Sequence, residues 1–219
     1  MIPDRLPAPI SNMPRVELRS LLWREPVRQA VRKFFILSYV YRYRGGKPAV
    51  AIPDKQCSLE SITPQLIDRV IQNEQLRNRF SSLLEDGHQG LIATDSDQWI
   101  AYGWTHTPSS TAVPYHLPEW MLEMDLYWMF YARTKENYRG RGWHKYLLSQ
   151  RVIRILETVP DADIFTDTVY ENPSRFSMIS VGFEPDGALR IYRAGHPAIG
   201  VKRYGRWDPL VDHPPLPST

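Results

Sequence analysis

The sequence holds a single cysteine, Cys57, among its 219 residues. That excludes an intramolecular disulfide and a cysteine-based zinc site, and makes a reducing, cytoplasmic setting the expectation. Long apolar runs are missing as well. The longest near the N-terminus, Phe34 to Val40, contains Ser38 and falls far short of the ~20 residues a membrane-spanning helix needs. The opening MIPDRLPAP has no apolar h-region, so no secretory signal is read there. Nor does one sign of charge dominate. The 27 Lys and Arg stand against 24 Asp and Glu, leaving +3, too little to mark the whole chain as a nucleic-acid binder.

What the chain does have is apolar residues at 42%, near the globular norm, which excludes bulk disorder and supports a single core. Charge is skewed along it. Residues 1–44 carry nine Lys or Arg against three acids, so this stretch nets +6 and the remainder −3. Prolines number 19 and cluster at both ends. Residues 1–13 and 209–219 therefore read as extended tails around one domain spanning 14–208.

Periodicity supplies the elements between. Pro14–Glu25 and the stretch from Pro26 to Phe35 read as helices, and Ile36–Arg44 as a strand ending at Gly45-Gly46. Helices follow at Thr63–Arg69 and Asn73–Leu84, the second stopped by Gly87. A hairpin, Gly90–Thr94 and Trp99–Trp104, turns at Asp95–Gln98. A loop broken by prolines at 107–120 leads to the strand Asp125–Thr134, a helix to about Glu157, a strand Asp163–Tyr170 and a short helix Pro173–Ser180. Strands around Ala188–Tyr192 and Gly200–Tyr204 close the domain. Strand, helix, strand after residue 125 requires a parallel pair with a crossover, so the fold class is α/β of the α+β type.

The chemistry concentrates at the junction Tyr138-Arg139-Gly140-Arg141-Gly142-Trp143-His144. Glycines let the backbone approach a ligand, and the opening helix turns its unbonded N–H groups and positive dipole end outward. Such a junction binds a phosphate or pyrophosphate, and Arg139 and Arg141 add forked cationic donors. Dinucleotide binding is not indicated, because the third glycine of the G-x-G-x-x-G fingerprint is absent. No Gly-Lys followed by Ser or Thr ends a P-loop, and no G-x-S-x-G elbow occurs.

The run Tyr127 to Thr134, a short polar gap, then Arg139-Gly140-Arg141-Gly142-Trp143-His144 resembles the acetyl-CoA loop of the GNAT superfamily of N-acyltransferases. That pattern is Arg or Gln, two residues, Gly, one residue, then Gly or Ala; Arg139 and Gly142 match, and His144 departs. Asn172-Pro173-Ser174 and Gly182-Phe183 are similar to the family's second half-site, and the two pieces cover residues 125–183. The resemblance implies a mixed, mostly antiparallel central sheet with two splayed parallel strands and helices on both faces. It implies acetyl-CoA as cosubstrate. The pyrophosphate would lie on the amides of Arg139, Gly140, Arg141, Gly142, Trp143 and His144. The pantetheine arm would pair with Ala132, Arg133 and Thr134, beside Asn172.

Transfer needs a base for the amine and an acid for the departing thiolate. The family's usual tyrosine position is Met178 here, which cannot donate, so Tyr131 becomes the acid candidate, with Ser177, Ser180 or a water as alternatives. Base candidates are Glu123 and Asp125 at the entry to the strand and His106 at the end of the hairpin; histidine's ordinary pKa suits base work. A bulge in that strand would reverse which way its earlier residues face. Trp104, Tyr115 and Trp120 flank the 107–120 loop, where aromatic walls would suit a sugar ring.

The expected activity is acetyl transfer to a primary amine of a small molecule, an amino sugar or sugar nucleotide among the candidates. Two alternatives stay open. One is a binding module whose basic N-terminal helices contact anionic lipid or nucleic acid; the other is an acyltransferase for a protein or tRNA-linked amine. No nucleic-acid partner and no metal are expected, and a dimer is one open oligomeric state.

Overall fold

The computed structural model describes residues 35–49, 52–54, 56–114, 117, 119–169 and 172–192. The tails, the basic helices expected before residue 35, Tyr115 and the strand expected at Gly200–Tyr204 lie outside the described residues. Alternation along the hairpin strands decides the layering. Ile92, Tyr102 and Trp104 pack into one cluster with Leu66, Ile67, Phe80 and Leu83, while Leu91, Ala93 and Ala101 meet Trp143, Tyr146 and Leu147 in another. Side chains of period two thus bury both faces of a sheet that carries helices on each side.

The strands are β1 (Phe35–Tyr43), β2 (Ser58–Ser61), β3 (Gln89–Asp95), β4 (Gln98–His106), β5 (Tyr127–Thr134), β6 (Ile164–Thr168) and β7 (Phe183–Tyr192). They form one mixed sheet in the order β2-β3-β4-β5-β6-β1-β7. Only β5 and β6 pair parallel; every other neighbouring pair is antiparallel. The helices are α1 (Pro64–Val70), α2 (Glu74–Glu85), α3 (Trp143–Thr158) and α4 (Ser174–Val181). The fold class is the expected α/β one.

Local chemistry sets the boundaries. The Thr63 side chain accepts from the Leu66 N–H with Pro64 opening α1, and Asn73 caps α2 through the Leu76 N–H. Gly182, at φ 111°, ends α4 and turns the chain directly into β7. The last strand therefore starts at Phe183, not near Ala188. The other departures have similar causes. β2, with only Leu59 apolar in its run, gives no alternation to read and exists by pairing with β3. β5 begins at Tyr127, leaving Asp125 in front of it. The N-terminal strand β1 lies between β6 and β7, so its Tyr39, Val40 and Tyr41 are central core residues.

Candidate functional site

Three residue pairs hold β5 to β6, namely Tyr127–Ile164, Trp128–Phe165 and Met129–Thr166. Beyond them the strands part. The cause is a bulge on the other edge of β5. Trp104 pairs with Phe130 and Tyr102 with Arg133, so Gly103 alone faces both Tyr131 and Ala132. Tyr131 absorbs the extra residue at φ 45°, a left-handed conformation that costs a side-chain-bearing residue about 1–2 kcal/mol. A bulge bends its strand, and the rest of β5 leaves β6 there. Thr166 Oγ1 donates to the Met129 carbonyl at 2.9 Å, pinning the apex of the V.

The opening is a cleft of about 660 Å³. Met129 to Thr134 line one side, and Thr166, Asp167, Thr168, Asn172, Ser177 and Met178 the other. From α3 come His144, Leu148 and Arg151, at the i, i+4, i+7 spacing that puts them on one helix face. The edge of Ala132–Thr134 turned toward β6 has no strand partner among the described residues.

At the mouth stands the glycine loop. Gly140 and Gly142 take φ 75° and 85°, and a Cβ at either would meet nothing within 4 Å. Gly142 is the N-cap of α3, and no side chain caps that end, so the first N–H groups of the helix are left for solvent or a ligand. The loop is anchored from behind. Tyr138 donates its hydroxyl proton to Asp95 at 2.9 Å, and the Arg141 guanidinium lies 5.5 Å from the Tyr138 ring centroid. Arg139 Nε donates to the Thr134 carbonyl at 3.4 Å, tying the loop to the end of β5.

Several buried polar groups have no partner. His144 Nδ1 has none, and burial, with Arg151 nearby, holds its pKa down at about 4. Arg151 is 4% exposed; its Nη1 donates to the Trp104 carbonyl at 2.8 Å while Nε bonds to nothing. Burial pulls its pKa down to about 9, which leaves it cationic at neutral pH. Asp167 accepts from Trp128 Nε1 at 2.8 Å and from Ser38 Oγ at 2.5 Å.

Of the residues the sequence singled out, Tyr131, Ala132, Arg133, Thr134, Arg139, His144 and Asn172 come together on the cleft wall. Gly140, Arg141 and Gly142 are exposed beside it. Trp143 contributes only main chain, since its ring is buried among Leu91, Ala93 and Ala101. Asn172 Oδ1 accepts from the Ser174 N–H at 3.0 Å in a turn just ahead of α4, and Asn172 also lines the cleft. Met178 lines it too, as an apolar group.

The three base candidates stand elsewhere. Glu123, at the end of a short 3-10 turn, and Asp125 are exposed ahead of β5. His106 is 1% exposed, paired with Trp128 across the sheet and 5.5 Å from the His88 ring; burial lowers the pKa of both histidines. Trp104 is a fully buried core residue. Two charged cleft residues went unread in the sequence, Asp167 and Arg151. Their signals are an acid inside the buried strand β6 and an arginine seven residues after His144 within an apolar helical stripe.

A second groove of about 460 Å³ adjoins the cleft and shares Tyr131, Arg133 and Arg139 with it. Asn73, Gln75, Trp99 and Glu136 also line it. Tyr131 is 41% exposed at the junction, its ring 5.4 Å from Tyr102 and 6.5 Å from Phe80.

No family model matches the chain, and no curated protein matches it. Solved structures do. A GCN5-related N-acetyltransferase-like protein from Streptococcus suis is 15% identical over 77% of this chain, with a TM-score of 0.46. A GNAT-family acetyltransferase from Colwellia psychrerythraea is 13% identical over 72%, at 0.47. A GCN5-related N-acetyltransferase from Kribbella flavida is 8% identical over 76%, at 0.45. Several of the solved structures it resembles are named as GNAT acetyltransferases. The matched part of the chain spans 66%, 57% and 63% of those three proteins' own lengths. Among the described residues no helix is long and apolar enough to cross a membrane, and no group of three or more His, Cys, Asp or Glu is placed to hold a metal.

Proposed function

We propose that this protein is an acyl-CoA-dependent N-acyltransferase acting on the primary amine of a small molecule. One observation carries the reading: the unpaired edge of Ala132–Thr134 runs to the uncapped N-terminus of α3 at Gly142. A pantetheine arm has two amides and needs a strand-like partner; a pyrophosphate needs converging N–H groups at a positive helix end. One cleft offers both in series, with Arg139 on its wall beside the pyrophosphate end.

Transfer is aminolysis of a thioester. The amine nitrogen bonds to the acyl carbon, the carbon–sulfur bond breaks, and a proton from the amine ends on the thiolate. In this reading the amine arrives through the groove lined by Asn73, Gln75 and Glu136 and meets the thioester at Tyr131. Tyr131, exposed at the junction of groove and cleft, supplies the thiolate's proton. Asp167, the carboxylate on the cleft wall, accepts the proton of the ammonium, directly or through water. An amino sugar or sugar nucleotide remains the favoured acceptor, since a polar groove with Trp99 at its side suits a hydroxylated ring.

The test is a screen of free amines with acetyl-CoA, read by thiol release. Amine-dependent release that falls at least tenfold in Tyr131→Phe supports the reading, whereas no release with any amine, together with no CoA binding, contradicts it.

A further inference from the structure

Arg151 is a buried cation that no described carboxylate balances. Its one hydrogen bond goes to the Trp104 carbonyl, and Nε has no partner. A buried charge without a counter-charge is costly, and proteins pair such groups or hold them for a ligand. Arg151 lines the cleft and also borders a smaller cavity of about 190 Å³. The lining of that cavity contains no Asp or Glu. Among the described residues Asp167 is the one carboxylate on the cleft wall, and it is engaged by Trp128 and Ser38.

Position says which end of a ligand Arg151 would meet. The helix face lining the cleft runs from His144, in the first turn of α3, through Leu148 to Arg151. Arg151 lies nine positions after Gly142, roughly 14 Å along the helix at ~1.5 Å per residue. A ligand with its pyrophosphate at Gly142 and its arm along β5 therefore carries its acyl group inward, toward Met129, Leu148 and Arg151. Gly103 makes the site possible, because any larger residue there would collide with the guanidinium. Arg151 is the buried cation on a cleft wall that also carries Met129, Leu148, His144 and Thr166, and its fork of donors matches a planar carboxylate.

We infer that the cleft selects an acyl-CoA whose acyl chain ends in a carboxylate, a dicarboxylic acyl donor held by Arg151, in preference to the acetyl donor. The inference rests on the acyl-CoA reading above and adds the identity of the acyl group. The reaction is unchanged: the thioester carbon still passes to the amine, and the distal carboxylate takes no part in bond making.

Calorimetric titrations of the full chain with CoA, acetyl-CoA, butyryl-CoA and succinyl-CoA test it. Butyryl and succinyl chains have the same number of carbons, so the comparison isolates charge. Succinyl-CoA should bind at least tenfold tighter than butyryl-CoA or acetyl-CoA, and the ratio should fall to near one in Arg151→Met and only partly in Arg151→Lys. Equal affinity for the butyryl and succinyl esters in the wild-type protein overturns the inference, as does a preference that survives in Arg151→Met. If Arg151→Met fails to fold, the wild-type ratio still decides. CoA binding with no preference for the carboxylate sinks this inference alone, while failure of CoA itself to bind sinks the acyl-CoA reading beneath it.

Discussion

Gly103 lies directly against Arg151: a Cβ at position 103 would stand 2.8 Å from Arg151 Cζ. The strand glycine and the helix arginine meet where the β5 bulge begins, because Gly103 is the residue that faces both Tyr131 and Ala132. Arg151 cannot swing aside easily, since its Nη1 is bonded to the Trp104 carbonyl. Gly103→Ala should therefore cost about 1–3 kcal/mol, as overpacking in a core does, seen as a lowered midpoint in a thermal melt. An unchanged melt would mean that the guanidinium is not fixed there.

His88 is 3% exposed and its pKa is held down at about 4 by burial first and by His106 second. The unfolded chain binds this proton near pH 6.5 and the folded chain only near 4, so unfolding takes up a proton in that window. Stability is therefore full above about pH 6.5 and falls as the pH drops toward 4, by at most about 3 kcal/mol from this residue. Urea unfolding at pH 7.5 and 5 should show a smaller loss in His88→Asn than in the wild-type protein. An equal loss would contradict the assignment.

Much of this architecture is legible in the sequence because period and punctuation coincide. α2 is framed by Asn73 and Gly87, α3 starts at Gly142, and the hairpin turns at Asp95–Gln98, all where propensity and capping agree. The bulge is not legible. Its positive φ falls on Tyr131, where a glycine would have been the signal, and a bulge depends on pairing with β4 that no local pattern encodes. Asp125 and His106 look close to the site when β5 is drawn as an unbroken strand. In the folded chain Asp125 precedes β5 and His106 is sealed beside His88. Arg151 is missed for a different reason. An arginine on a helix reads as solvated, and only Gly103 on a distant strand makes room for it inside.

Asp167 joins two elements to the cleft. Asp167→Ala should leave the Trp128 indole N–H, on a side chain 1% exposed, without its acceptor. A lost partner of this kind costs about 1–3 kcal/mol. Asp167→Asn keeps an acceptor and should cost less, yet lower turnover at least as far, because an amide cannot take a proton. Comparing melts and thiol-release rates of the two variants separates support from chemistry. Full turnover in Asp167→Asn would remove it as the base.

Tyr131→Phe should keep the fold, since the residue is 41% exposed and the ring itself, which packs near Tyr102 and Phe80, is retained. Loss of the hydroxyl should lower kcat by about 10²-fold or more, as removal of a positioned acid does, with CoA affinity unchanged. A kcat within a factor of two of the wild type would assign the proton to another group.

The central claim is that the glycine loop seats the pyrophosphate of CoA, and Gly142 tests it most directly. At φ 85° with nothing within 4 Å of a Cβ, Gly142→Val strains the turn by about 1–3 kcal/mol and sets a branched side chain in the mouth of the cleft. Calorimetric titration of CoA into both proteins, with circular dichroism to verify folding, is the measurement. The wild-type protein should bind CoA with micromolar affinity, and folded Gly142→Val should not bind it. Equal CoA affinity in the two, or no binding by the wild-type protein, would contradict it.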